Sequence, residues 1–198
     1  MSGILTDLKN TVIAGLVLTV IMIVFVTAAT GDDFASDHMY MTFIVRWLHV
    51  INGVMWIGLL WYFNFVQIPN MGKIPDDQKP AIGKVIAPAA LWWFRWAALA
   101  TLVTGLILAG WQGYILDAIT LGIVGAAEDA FVLKHCAIGI GMWMGIIMAF
   151  NVWGVIWPNQ KKALGIVQVD ADAKKKAART AMLFSRTNTM LSIPMLYA

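Results

Sequence analysis

A chain of 198 residues that is 60% hydrophobic and 13% charged carries more apolar surface than a water-soluble domain of its size can bury. Its single cysteine, Cys136, excludes an internal disulfide and a covalent C-x-x-C-H haem attachment. There is no Walker, H-E-x-x-H or nucleophile-elbow motif, which sets aside a self-contained ATPase or hydrolase, and no nucleic-acid motif accompanies the net charge of +3.

In chain order, four apolar stretches are long enough to cross a bilayer core, which takes about 20 helical residues. They run roughly over 11–29, 41–68, 91–111 and 134–157. A fifth, 182–198, is apolar but near the lower limit for a span. The first stretch is too long for the h-region of a signal peptide and reads as a retained anchor, with Ala28 and Ala29 leaving cleavage as the alternative. Between spans one and two stand Asp32, Asp33 and Asp37 with no lysine or arginine; the next connection carries Lys73, Lys79 and Lys84. The third holds Asp117, Glu128 and Asp129, and the fourth the basic run Lys161, Lys162, Lys174, Lys175, Lys176 and Arg179. The positive-inside rule then places the N-terminus and the basic loops in the cytoplasm. Pro69, Pro75, Pro80 and Pro88 punctuate the second loop, Pro158 is expected to stop span four, and Asp170–Thr180 is expected to form a short interfacial helix.

His49 and His135 each sit just inside the outer end of a span, one on span two and one on span four. An ionisable side chain within a span is a functional-site hypothesis by default, and two at one level suggest an axial ligand pair for a haem b. Arg46 lies one turn outward of His49, where a propionate needs a cation, and Lys134 precedes His135. Gly53 and Gly139 lie one turn inward of the two histidines, where a flat ligand can approach the backbone; Gly141 and Gly145 make a small-xxx-small spacing that serves helix packing without any cofactor. The bland alternative is that both histidines only bond to neighbouring helices. His38, among the aspartates of the outer loop, reads as a surface residue.

The string RWLHVINGVMWIG from Arg46, with KHCAIGIGMWMGIIMAFNVWGVIWPNQKK from Lys134 and SRTNTMLSIPML from Ser185, resembles the membrane domain at the N-terminus of bacterial membrane-bound urate hydroxylases. The pattern positions are Arg46, His49, Gly53, Trp56, Gly58, His135, Asn151, Pro158, Gln160, Ser185, Arg186, Asn188 and Pro194. The resemblance implies urate oxidation with electrons passed to a cytochrome c. In that family the cytochrome is a C-terminal domain; with no C-x-x-C-H here, a separate periplasmic cytochrome c is the expected acceptor.

The sequence is therefore expected to form an all-α integral membrane protein, a bundle of about five transmembrane helices in one domain, 1–198, in a bacterial inner membrane. Its expected role is a haem-b-like electron-transfer subunit of a larger respiratory or photosynthetic complex, with His49 and His135 on the iron. Asn64, Asn151 and Arg186 would form the polar pathway of a small-molecule oxidase or channel, and a cofactor-free structural or assembly subunit is the remaining alternative.

Overall fold

A computed structural model describes residues 2–30, 37–127 and 132–198. Asp32, Asp33, Glu128 and Asp129, used above to orient the spans, lie outside the described residues. What is described is helical, with no strand among the described residues. It forms two compact units, Met1–Phe43 and Ile44–Ala198.

In the first unit, α1 (Ser2–Leu5) leads into α2 (Leu8–Thr30). The Thr11 hydroxyl donates to the carbonyls of Ile4 and Asp7, stapling the two together. Helix α2 is apolar around its whole circumference and exposed along its length, the pattern of a helix that meets lipid or other helices on all sides. Asp37 then opens α3 (His38–Trp61), its carboxylate accepting the Met39 N–H at 2.8 Å.

The second unit is built from four long helical runs. Span two continues from α3 through a wide π segment, Tyr62–Gln67, into α4 (Ile68–Asn70) and a 3₁₀ turn at Met71–Lys73. The chain returns through α5 (Lys79–Ala81), a second π segment at Ile82–Ile86, and α6 (Ala87–Trp111). Two short helices, α7 (Ile115–Ile119) and α8 (Ile123–Ala127), precede α9 (Leu133–Phe150). A third π segment, Asn151–Ile156, leads into α10 (Trp157–Ala163), and α11 (Ala171–Tyr197) closes the chain.

Directions follow from the side-chain contacts. His49 meets Thr101 and Phe63 meets Phe94, so span two and α6 are antiparallel. Gly145 packs toward Met195 while Asn151 bonds Asn188, so α9 and α11 are antiparallel; Trp61 and Asn64 meet Ser192 and Ser185 in the same sense. Spans two and four are therefore parallel to each other. The core between them is Trp56, Leu60 and Phe63 against Leu91, Phe94 and Ala98, closed by Met148, Val152 and Ile156.

Among the described residues, four helical runs are long and apolar enough to cross a membrane: Leu8–Ala29, His38–Lys73, Lys79–Trp111 and Leu133–Ala163. The fifth apolar stretch is only the C-terminal part of α11, whose first turns carry Lys174, Lys175, Lys176 and Arg179. The interfacial helix expected at Asp170–Thr180 is thus continuous with it. Its start is as expected: Asp170 caps it, accepting the Ala173 N–H at 2.7 Å.

The prolines do not stop the helices. Pro158 lies inside a helical run that continues to Ala163, and Pro69 and Pro88 sit the same way. Proline offers no N–H and its ring crowds the carbonyl four residues back. In all three places the turn ahead of it widens, and the residue before the proline reaches one carbonyl further: Ile68 to Phe63, Ala87 to Ile82, Trp157 to Val152. A widened turn relieves the clash without ending the helix.

Candidate functional site

The His49 imidazole leaves α3 toward α6, where Gly105 makes room for it. A Cβ at Gly105 would lie 2.9 Å from His49 Cε1. Nδ1 stands 3.0 Å from the Thr101 carbonyl and 3.2 Å from the Thr104 hydroxyl. The carbonyl can only accept, so Nδ1 carries the proton and Nε2 is left with its lone pair.

His135 is held by a different element. Gly113, at φ +79°, ends α6 in the left-handed conformation that favours glycine, and the chain turns into α7. Helix α7 lies against α9 because position 139 is glycine: a Cβ there would run into the Ala118 carbonyl. Trp143 fixes the same contact, its indole N–H donating to the Ile119 carbonyl at 3.0 Å. This brings Asp117 beneath His135, with Oδ2 at 2.7 Å from Nδ1, while Oδ1 accepts the Gly125 N–H at 3.0 Å. Tyr114 stacks on the imidazole, centroids 5.2 Å apart and planes 20° from parallel. Burial pushes the Tyr114 hydroxyl above its usual range, and the nearby Arg46 charge pulls the other way. Arg46 therefore lies within electrostatic reach of the ring that covers His135.

A cavity of about 330 Å³ opens between these elements, lined by His49, Trp56, Gly105, Tyr114, Met142 and Met195 among others. That is within the roughly 300–1,000 Å³ of small-molecule pockets. His49 forms part of its wall, whereas His135 does not line it and is joined to it only by stacking on Tyr114, which does. Among the described residues no hydrogen bond or ring contact joins the two imidazoles. Nor are they level. His49 shares the cavity with Ile138 and Gly141, and Asn64 and Asn151 meet α11 at Ser185 and Asn188, one turn apart. Counting outward from those amides puts His135 about one helical turn, ~6 Å, beyond His49.

The remaining expected site residues divide. Arg46 is exposed and is not part of the cavity lining, and Lys134 is exposed with no ion pair among the described residues. Gly53 faces the Thr101 methyl at 3.9 Å and lines a neighbouring groove with His49. The space at Gly139, expected for a porphyrin face, is filled by α7. Gly141 and Gly145 pack toward Ala198 and Met195, and both line the cavity as well. Asn64 and Asn151 bond Ser185 and Asn188 at 2.8 Å, so they tie helices together. His38 is exposed.

Asp117, Tyr114, Thr101 and Gly105 were not singled out as site residues by sequence. Asp117 stands eighteen positions before His135, and only the glycine turn and the close α7–α9 approach bring them together. Spans two and four share local features at unequal spacing: a histidine followed by a glycine one turn on (His49 and Gly53, His135 and Gly139) and a Phe-Asn pair further along (Phe63-Asn64, Phe150-Asn151). Both spans also carry a π segment followed by a proline, as span three does at Pro88.

The donor set suits a haem iron. A metal-bound histidine keeps its other ring N–H on a carbonyl or carboxylate, which fixes the ring and its tautomer, and both histidines do this through Nδ1. Stacking covers the face of the His135 ring, while a metal would approach Nε2 along the ring plane. No group of three or more His, Cys, Asp or Glu suited to a bare metal ion occurs among the described residues. No protein-family model, curated protein or solved structure matches the chain.

Proposed function

We propose that this chain is a membrane electron-transfer subunit that holds a haem b between spans two and four, near the outer face of a bacterial inner membrane. In this reading it spans the membrane five times, N-terminus inside, and works with other membrane subunits and a periplasmic cytochrome c. The observation that supports it is the pair of Nδ1 tethers, His49 to Thr101 and His135 to Asp117, each of which leaves Nε2 free of a hydrogen bond among the described residues, with His49 lining the cavity and His135 stacked on Tyr114 of its wall. His49 and His135 would hold the iron, and Arg46 would offer its guanidinium to a propionate. The bound group supplies one-electron exchange.

The protein's share is orientation and exclusion of water. Asp117 and the Thr101 carbonyl hold each imidazole in one tautomer. Trp56 and Met195 wall the cavity with apolar surface, and Tyr114 lines it as well. A reduced-minus-oxidised spectrum of the purified chain tests the reading. A sharp b-type band supports it; a flat trace from chain refolded or expressed with excess haem overturns it.

The offset of the two histidines favours a second reading, a urate hydroxylase-like oxidase module in which the cavity takes a small flat substrate. The His135–Asp117 pair would then move a proton at its mouth. Urate-dependent electron transfer to cytochrome c by the purified chain would select it; a cofactor-free assembly subunit predicts neither signal.

A further inference from the structure

Arg95 is a cation placed inside a span. It lies on α6, within the apolar run Lys79–Trp111, and only 7% of it is exposed. Among the described residues no carboxylate pairs with it and its guanidinium donates no hydrogen bond. Nε and Nη1 are shut off from any surface, whereas Nη2 is not. What holds the side chain is a pair of indoles: Cζ lies 3.4 Å from the centre of the Trp157 ring and 5.9 Å from that of Trp153. Stacking on a ring face leaves the guanidinium N–H groups, which point along its own plane, unused. A charge within a span is costly and marks a functional site by default. Arg95 lacks an acceptor, and Nη2 is the edge at which one can arrive.

The surroundings select that acceptor. Lys161, one turn beyond Trp157, brings an ammonium to 5.7 Å from the same ring, also with no ion pair among the described residues. Two positive charges around one indole call for a group with formal negative charge, and a guanidinium edge with an ammonium suits a phosphate. Trp153 donates its indole N–H to the Arg95 carbonyl at 3.2 Å and meets Trp96 edge to face at 5.5 Å. Trp96 neighbours Trp92, and both rings are half exposed. Open indoles beside lysines belong at the depth of the lipid headgroups. Lys161 and Lys162, in the last turn of α10, mark where water begins. The acceptor therefore comes from the lipid side at headgroup level, where phosphates are the abundant anions.

We propose that Arg95 and Lys161 bind the phosphate of one anionic phospholipid, in the leaflet on the side of the lysine-rich turns, with its acyl chains against Trp92 and Trp96. The phosphate accepts from Arg95 Nη2 and from the Lys161 ammonium. A headgroup of net negative charge offsets the two cations, whereas the ammonium of a zwitterionic headgroup adds a third positive charge beside them. The site rests on the chain crossing a bilayer and not on what the histidines hold.

Native mass spectrometry tests this on the full chain, purified in a neutral detergent and titrated with phosphatidylglycerol or phosphatidylcholine of the same acyl chains. One lipid per chain should be retained saturably, phosphatidylglycerol about tenfold more tightly than phosphatidylcholine. Arg95→Leu should abolish that preference, Arg95→Lys should keep part of it, and Lys161→Gln should reduce it about threefold. Lys73→Gln, which removes an exposed lysine from the same end, should leave it within about twofold. Replacing a buried, unpaired charge by an apolar side chain is compatible with folding. Helicity and melting temperature of each variant check that; should Arg95→Leu misfold, Arg95→Lys and Lys161→Gln decide. Inorganic phosphate, titrated calorimetrically without lipid, should bind far more weakly than phosphatidylglycerol. Equal affinity for both lipids, a preference that persists in folded Arg95→Leu or that Lys73→Gln removes as fully, or phosphate binding as tight as lipid overturns the proposal. The first of these outcomes leaves a carboxylate of another membrane chain as the partner of Arg95. The haem spectrum is read separately and moves none of them.

Discussion

The imidazoles of His49 and His135 are fixed by bonds of different strength, and the two should answer differently to mutation. His135 leans on a carboxylate at 2.7 Å, a bond that strengthens as the ring gains positive charge, while His49 leans on a neutral backbone carbonyl at 3.0 Å. Asp117→Asn should lower haem affinity of the reconstituted chain about 10–100-fold, the usual effect of losing such an outer partner. Thr104→Val should change it little, because the Thr101 carbonyl stays in place; a titration of apo-chain with haem checks both. Gly105→Ala, by contrast, puts a methyl within 2.9 Å of the His49 ring and should displace it, lowering haem occupancy at unchanged helicity. Arg46→Leu should shift the midpoint potential downward, since a nearby positive charge favours the reduced iron, and Arg46→Lys should fall between. An unchanged potential in both would make Arg46 a surface cation that only reaches toward the interface.

Among the elements, α7 and α11 hold the site and the bundle together through contacts that sequence spacing does not reveal. The apolar runs and both histidines were legible because their signals are local: length, hydropathy and an ionisable side chain where few occur. Asp117 was read only as a loop charge, since its partnership with His135 depends on Gly113 turning the chain and Gly139 admitting a backbone carbonyl. Pro158 was read as a stop because proline breaks the regular helical bond, but the widened turn ahead of it carries the helix on. Asn188 was legible as part of a string and not as a hub. It is fully buried, accepts from Asn151 at 2.8 Å and donates to the Met148 carbonyl at 2.9 Å. Asn188→Leu should destabilise the bundle by about 1–2 kcal/mol, two interhelical bonds at the modest worth they have in membranes. Asn151→Leu added to it should cost less than the sum, because they share a bond. Thermal melts of the two single variants and the double variant in detergent decide this, and strict additivity would mean that the pair is not coupled.

At the scale of the second unit, spans two and four run parallel, each with a histidine toward one end and a proline-widened turn toward the other. This arrangement puts the histidine cavity at one end, with the lysine-rich turns and the first turns of α11 at the other. In the proposed topology, charge bias puts this basic end in the cytoplasm. In a Cys136→Ser background, a cysteine replacing Asp33 should be labelled by an impermeant reagent from the periplasm, and one replacing Lys175 only after permeabilisation. The opposite pattern would move the histidine site to the cytoplasmic face. The central claim is that one iron is shared by the Nε2 atoms of His49 and His135, and low-temperature electron paramagnetic resonance of the oxidised, haem-loaded chain reads it most directly. The account predicts a low-spin signal in wild type and in His38→Ala, converted to high spin or lost in both His49→Ala and His135→Ala. A wild-type low-spin signal surviving in either of the last two would contradict it.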